Sequence, residues 1–127
     1  DRTPLARLSH PIAVEYVDVQ GPDGVYRKYR CLIAGESGVT RHLMISSHWE
    51  VRPKSRVRTD ATREEELEYL NRPDPNLDAL KRARRALGLD LVAFDYSYDR
   101  LGRLIVWEAN PYPDLSFPHH PAMKNPA

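Results

Sequence analysis

The stretch GLDLVAFDYSYDRLGRLIVWEANPYP, Gly88 to Pro113, decides the fold. Within it, residues 91–96 and 103–109 are apolar runs rich in β-branched and aromatic side chains, each bounded by turn residues. Asp99-Arg100-Leu101-Gly102 lies between them and reads as a hairpin tip. Pairing the two strands symmetrically about Leu101 and Gly102 sets Asp99 against Leu104, Ser97 against Val106 and Asp95 against Glu108. Glu108 and Asn110 are two positions apart, so they share a face of the sheet. The spacing therefore predicts three oxygen donors, Asp95, Glu108 and Asn110, on one surface. Hard oxygen donors are what magnesium takes when it carries a nucleotide phosphate. Two directly opposed carboxylates repel. Such a pair persists where a cation sits between them or where one carboxyl is protonated. A register one residue different leaves Asp95 in solvent, Glu108 in a salt bridge and Asn110-Pro111 merely starting a turn. Spacing alone is compatible with both.

Working outward, a helix is expected after Asn76, a good N-cap. Leu77, Leu80, Ala83 or Arg84, and Leu87 recur at helical spacing, and Gly88 is its stop. Its apolar stripe should pack on the sheet face opposite the oxygen donors, with Trp107 packing against it. Thr62-Arg63-Glu64-Glu65 reads as a capping box that starts an earlier helix at Thr62, running to about Asn71. Its glutamates read as a solvated face. Upstream, residues 12–19, 25–34 and 39–46 read as three strands joined by turns, an antiparallel meander. The fold class expected is α+β, an antiparallel sheet with two helices on one face.

A chain of 127 residues suffices for one small domain. Its 41% hydrophobic and 29% charged residues are ordinary for a folded domain. A net charge of +1 supplies no global field to attract nucleic acid or a membrane surface. No apolar run approaches the roughly 20 residues of a membrane span. With Cys31 alone, no intrachain disulfide can form, which fits a reducing, cytoplasmic setting and an inert buried thiol. The chain has eleven prolines, and they cluster at Arg72 to Pro75 and from Pro111 to Pro126, which together hold seven of them. They divide the chain into a domain over residues 1–113, with a lead-in over 1–10, and a proline-rich tail over 114–127. The basic segment from His48 to Thr59, with Arg52, Lys54, Arg56 and Arg58, reads as a solvated loop that could close over a phosphate. Only Trp49 offers stacking nearby, which disfavours a nucleic-acid contact. His10, His42 and His48 are too scattered for a zinc spacing, and His119-His120 sits in the tail.

Gly-Leu-Asp, a strand with Asp95, a glycine-bearing turn and a strand ending Glu108-x-Asn110-x-x-Pro113 resembles the C-terminal signature of the ATP-grasp enzymes. VEYVDV followed by YRKYRCLIAG is similar to the hinge strand and next strand of the glutathione-synthetase-like and ribosomal-protein-modifying ligases. The resemblance covers about residues 10 to 113 and implies the C-terminal lobe of an ATP- and magnesium-dependent ligase. In such enzymes a carboxylate attacks the ATP γ-phosphate and an amine displaces the phosphate from the acylphosphate. It implies magnesium on Asp95, Glu108 and Asn110. It places Arg30 as the catalytic, phosphate-reaching arginine, and Glu15, Tyr16 and Val17 as the hinge that grips adenine and ribose. Arg41 and Lys28 are weaker phosphate candidates. The partners implied are ATP, a small-molecule or peptide carboxylate, and an N-terminal lobe of the parent chain, with the fragment inactive by itself. The sequence departs from the pattern in two ways. Ala93 stands where a basic residue is common two positions before the metal-binding aspartate, and no glycine-rich phosphate loop is present. A non-catalytic ATP-grasp-like module that binds a ligand or partner is the alternative.

Overall fold

The computed structural model describes residues 9–115, so His119-His120 and most of the expected tail lie outside the described residues. The elements are β1 (Tyr26–Ala34), β2 (Ser37–Ser46), α1 (Asp60–Leu70), α2 (Leu77–Leu87), β3 (Leu91–Tyr98) and β4 (Leu104–Asn110), with a short 3-10 turn at Pro53–Ser55. The strands form one antiparallel sheet in the order β2-β1-β3-β4. This is the expected α+β class.

One side of the sheet carries the core. Alternation puts Cys31 and Ile33 of β1 on the same face as Val92, Phe94 and Tyr96 of β3, and all are buried with Leu80 of α2. Both helices pack here. α2 contributes Leu77, Leu80 and Ala83. α1 approaches through Tyr69, whose ring lies edge-on to Tyr29 with centroids 5.1 Å apart, and through its last carbonyl, which accepts from the Thr40 hydroxyl. The α2 boundaries match the sequence reading. Asn76 precedes it, and Gly88 ends it in the left-handed conformation, φ 67°, that a side chain disfavours. Leu80→Ala should therefore cost about 2–5 kcal/mol, because nothing exposed can collapse into the gap. Chemical denaturation would measure it, and a loss well under 1 kcal/mol would mean that α2 does not anchor this core.

Two expectations change. α1 begins at Asp60, not Thr62. Thr59 is the N-cap: its hydroxyl accepts from the Thr62 amide at 3.2 Å, and the Thr62 hydroxyl accepts from the Thr59 amide at 2.9 Å. Two threonines thus close the reciprocal box a turn earlier than Thr62 and Glu65 would. The expected first strand at 12–19 does not form. No residue of 12–19 joins a ladder; the nearest pairing is the isolated bridge from Gln20 to Tyr26. β1 is central, with β2 on one edge and β3 on the other, so no edge remains for a third partner. Ile12 and Val14 are consequently 86% and 77% exposed. The segment is instead pinned by Asp18, whose carboxylate lies 2.6 Å from Arg100 at the β3–β4 hairpin.

Candidate functional site

The face without helices carries a row of four residues, one from each strand. His42 of β2 pairs with Arg30 of β1, Arg30 with Asp95 of β3, and Asp95 with Glu108 of β4. Directly paired residues point to the same side, so the row crosses the whole sheet. The opposition of Asp95 and Glu108 is the one that the sequence predicts, reached by a different route. The hairpin sets Tyr98 against Leu104 and Ser97 against Ile105, one residue away from the symmetric register. A β-bulge between Asp95 and Tyr96 then takes up the extra residue, Trp107, and restores the match.

The bulge also moves Trp107. It does not join the core; it is 41% exposed, and its indole Nε1 donates to Ser97 Oγ at 2.8 Å on the helix-free face. Ser97 Oγ in turn donates to the Arg27 carbonyl at 2.5 Å.

A cation does offset the carboxylate pair, and it comes from the chain. Arg30 grips Asp95 through two parallel hydrogen bonds, Nε to Oδ1 at 2.6 Å and Nη2 to Oδ2 at 2.9 Å. Lys28 Nζ lies 3.8 Å from Oδ2. Asp95 is only 3% exposed, and the fork geometry suits a buried carboxylate. The carboxylate also holds Arg30 protonated more firmly than usual, against the opposing effect of burial. So Arg30, expected at a phosphate, is found on the predicted metal ligand. Glu108 is exposed and closes no ion pair among the described residues. Asn110 stands opposite Ala93, and its Oδ1 accepts from the Tyr112 amide at 2.9 Å, forming the turn that ends β4.

A cleft of about 650 Å³ opens over this face, lined among others by Tyr16, Lys28, Trp49, Asp95, Trp107 and Glu108. Tyr16 meets Trp49 edge to face, centroids 6.2 Å apart. Glu15 and Val17 line it as well, so the segment expected as the hinge does border the site, though not as a strand. Arg30, Asn110 and Arg41 do not line it; Arg30 reaches its floor only through Asp95, and the register of β2 passes from His42 to Thr40 and skips Arg41.

The oxygen donors can be weighed for a metal. Among the described residues, no three His, Cys, Asp or Glu side chains converge. Asp95 and Glu108 fit a hard divalent ion in charge and donor type, and the Arg30 guanidinium already stands where a cation is needed. Asn110 fits less well, since its carbonyl oxygen is spent on the turn.

Sequence reading weighed His42 only as a zinc ligand and missed its place in this row. Its pairing with Arg30 depends on a β-bulge between Arg30 and Cys31, for which no residue type signals. Burial, then the nearby positive charge of Arg30, pushes the imidazole down to about 4, with Lys28 and Arg56 acting in the same direction and Asp95 against them. Nε2 has no hydrogen-bond partner among the described residues. The folded protein therefore binds this proton less readily than the unfolded chain. Stability from His42 is full above the ordinary histidine value near 6.5 and is lost as pH falls from there toward 4. His42→Gln should flatten the pH dependence of unfolding in that window, read by denaturation at several pH values. An identical slope in variant and wild type would mean that the imidazole is solvated.

No protein-family model, curated protein or solved structure matches the chain. No helix among the described residues is long and apolar enough to cross a membrane.

Proposed function

We propose that the helix-free face binds the phosphates of ATP together with a magnesium ion, and that the chain is the C-terminal lobe of an ATP-grasp-type carboxylate ligase. One observation carries this reading: Asp95 and Glu108 oppose each other beneath a cleft, with Arg30 and Lys28 set against them. Anionic oxygens beside cationic side chains suit a ligand that is itself a metal–anion pair. Lys28 and Arg30 bind and orient phosphate oxygens. The rings of Tyr16, Trp49 and Trp107 bury the flat faces of a base and shield it from water. Glu15 and Val17 border the same end of the cleft. Asp95 and Glu108 would hold the magnesium ion, which would supply charge neutralisation for transfer of the γ-phosphate to a carboxylate substrate with ADP as the leaving group.

A second reading has its own support. The grip of Arg30 on Asp95, with Ala93 where a basic residue would aid catalysis, favours a non-catalytic module that binds a ligand or partner. Calorimetric titration of the chain with ATP separates the two. The ligase-lobe reading expects saturable binding that strengthens at least about tenfold when magnesium is added, as charge neutralisation at the phosphates requires. Binding indifferent to magnesium supports the second reading, and no binding of ATP in either condition contradicts the first.

A further inference from the structure

The row His42–Arg30–Asp95–Glu108 is close to charge balance before any ligand arrives. Asp95 and Glu108 face Arg30 and Lys28; Asp114 also acts on Arg30, and Glu15 and the Glu50–Arg52 pair line the same cleft. His42 adds no charge near neutral pH, since its imidazole titrates at about 4. Both oxygens of Asp95 are occupied by the Arg30 fork. A divalent ion alone would meet a carboxylate already neutralised and a guanidinium at its side. A polyphosphate alone would meet two carboxylates.

We infer that Arg30 competes with the metal ion for Asp95, so that the cleft admits a divalent ion and a polyphosphate as one unit and neither well alone. The inference rests on the proposed nucleotide reading. It assigns Arg30 a second position: on Asp95 in the free protein, and on a phosphate oxygen once the metal–anion pair is in place. The long arginine stem permits this, and its guanidinium keeps a bidentate partner in both states. His42, the neighbour of Arg30 on the other side, is held neutral, so it does not repel the guanidinium in either position.

The two ligands give the test opposite signs. Manganese would be titrated into the full chain and into Arg30→Gln, with free manganese read by electron paramagnetic resonance, in the absence and presence of ATP. Arg30→Gln should bind manganese alone about tenfold more tightly, because a positive charge beside the carboxylates is gone. It should bind manganese–ATP about tenfold more weakly, because a charge-assisted contact to phosphate is gone. Arg30→Lys, which keeps a cation without the fork, should fall between, and it covers the case in which Arg30→Gln does not fold. A general loss of structure would weaken both ligands together. If manganese binds alone to wild type as tightly as to the variants, and Glu108→Gln abolishes that binding, the metal site stands and the competition does not. If wild type binds neither manganese nor manganese–ATP, the nucleotide reading itself fails.

Discussion

Asp74→Ala should lower the free energy of unfolding by about 2–4 kcal/mol, because a buried acceptor of three hydrogen bonds is removed. Asp74 lies between the two helices and is 6% exposed. Its carboxylate accepts from the Tyr96 hydroxyl at 2.7 Å, the Tyr69 hydroxyl at 2.8 Å and the Asn76 amide at 2.8 Å. Burial, and then these hydrogen bonds and the nearby carboxylate, raise both tyrosines well above the usual phenol range, so both stay protonated donors. The rings form one cluster: Tyr29 stacks on Tyr96 with centroids 5.1 Å apart, and Tyr98 meets both edge-on. Asn76 Nδ2 reaches the Tyr98 hydroxyl at 2.5 Å, which ties the start of α2 to β3. Truncation at Asp74 leaves the Asn76 amide without an acceptor, and it leaves the hydroxyls only their longer contacts, Tyr69 to the Arg30 carbonyl at 3.2 Å and Tyr96 to the Tyr69 hydroxyl at 3.4 Å. Each such loss costs about 1–3 kcal/mol. Asp74→Asn, which keeps shape and one acceptor, should cost less. Urea denaturation decides it; a loss below about 1 kcal/mol would mean that the loop opens and water takes over the carboxylate's role.

Asp95→Asn should have a double effect. From the sequence alone, removing one of two opposed carboxylates relieves repulsion and stabilises. The structure reverses that sign, because Arg30 forms a fork on Asp95 and Lys28 stands nearby. The neutral amide leaves a guanidinium without its counter-charge on a face where Asp95 is buried. Breaking a fully buried pair costs about 3–5 kcal/mol; the partly exposed Arg30 brings this to about 2–3 kcal/mol. Glu108→Gln lacks this cost, because Glu108 is exposed. Under the proposed function both variants lose magnesium-dependent ATP affinity by at least about tenfold, since each removes a hard anionic donor. Glu108→Gln is the cleaner of the two, because its melting temperature should hardly move. Affinity retained in folded Glu108→Gln would place the metal elsewhere.

Much of this was readable because local signals agreed with the tertiary arrangement. The leucine spacing and Gly88 bracketed α2 closely, since each acts within its own turn; Asn76 does precede the helix, but its side chain makes no cap and reaches Tyr98 instead. Asp95 opposite Glu108 was also legible, although by two offsets that cancel: the hairpin register and the bulge at Trp107. The misses in the sheet share one cause, which is that strand neighbours are chosen by distant chain, whereas the start of α1 moved because Thr59 and Thr62 form the capping box locally. Residues 12–19 alternate as a strand should, yet β3 takes the edge that they needed. Trp107 has the composition of a core residue, and the bulge turned it outward. The Arg30–Asp95 fork joins residues 65 positions apart and carries no sequence signature.

Paramagnetic broadening by manganese–ATP, read on backbone amide signals of the isotopically labelled chain, locates the bound ion on one face of the sheet or the other. Signal loss should centre on Asp95 and Glu108 and reach Lys28 and Arg30, with the amides of α2, behind the sheet, broadened less and only at higher manganese–ATP. Signals that persist at Asp95 and Glu108 under saturating manganese–ATP, or that vanish first on the helix side, would contradict a site on the helix-free face.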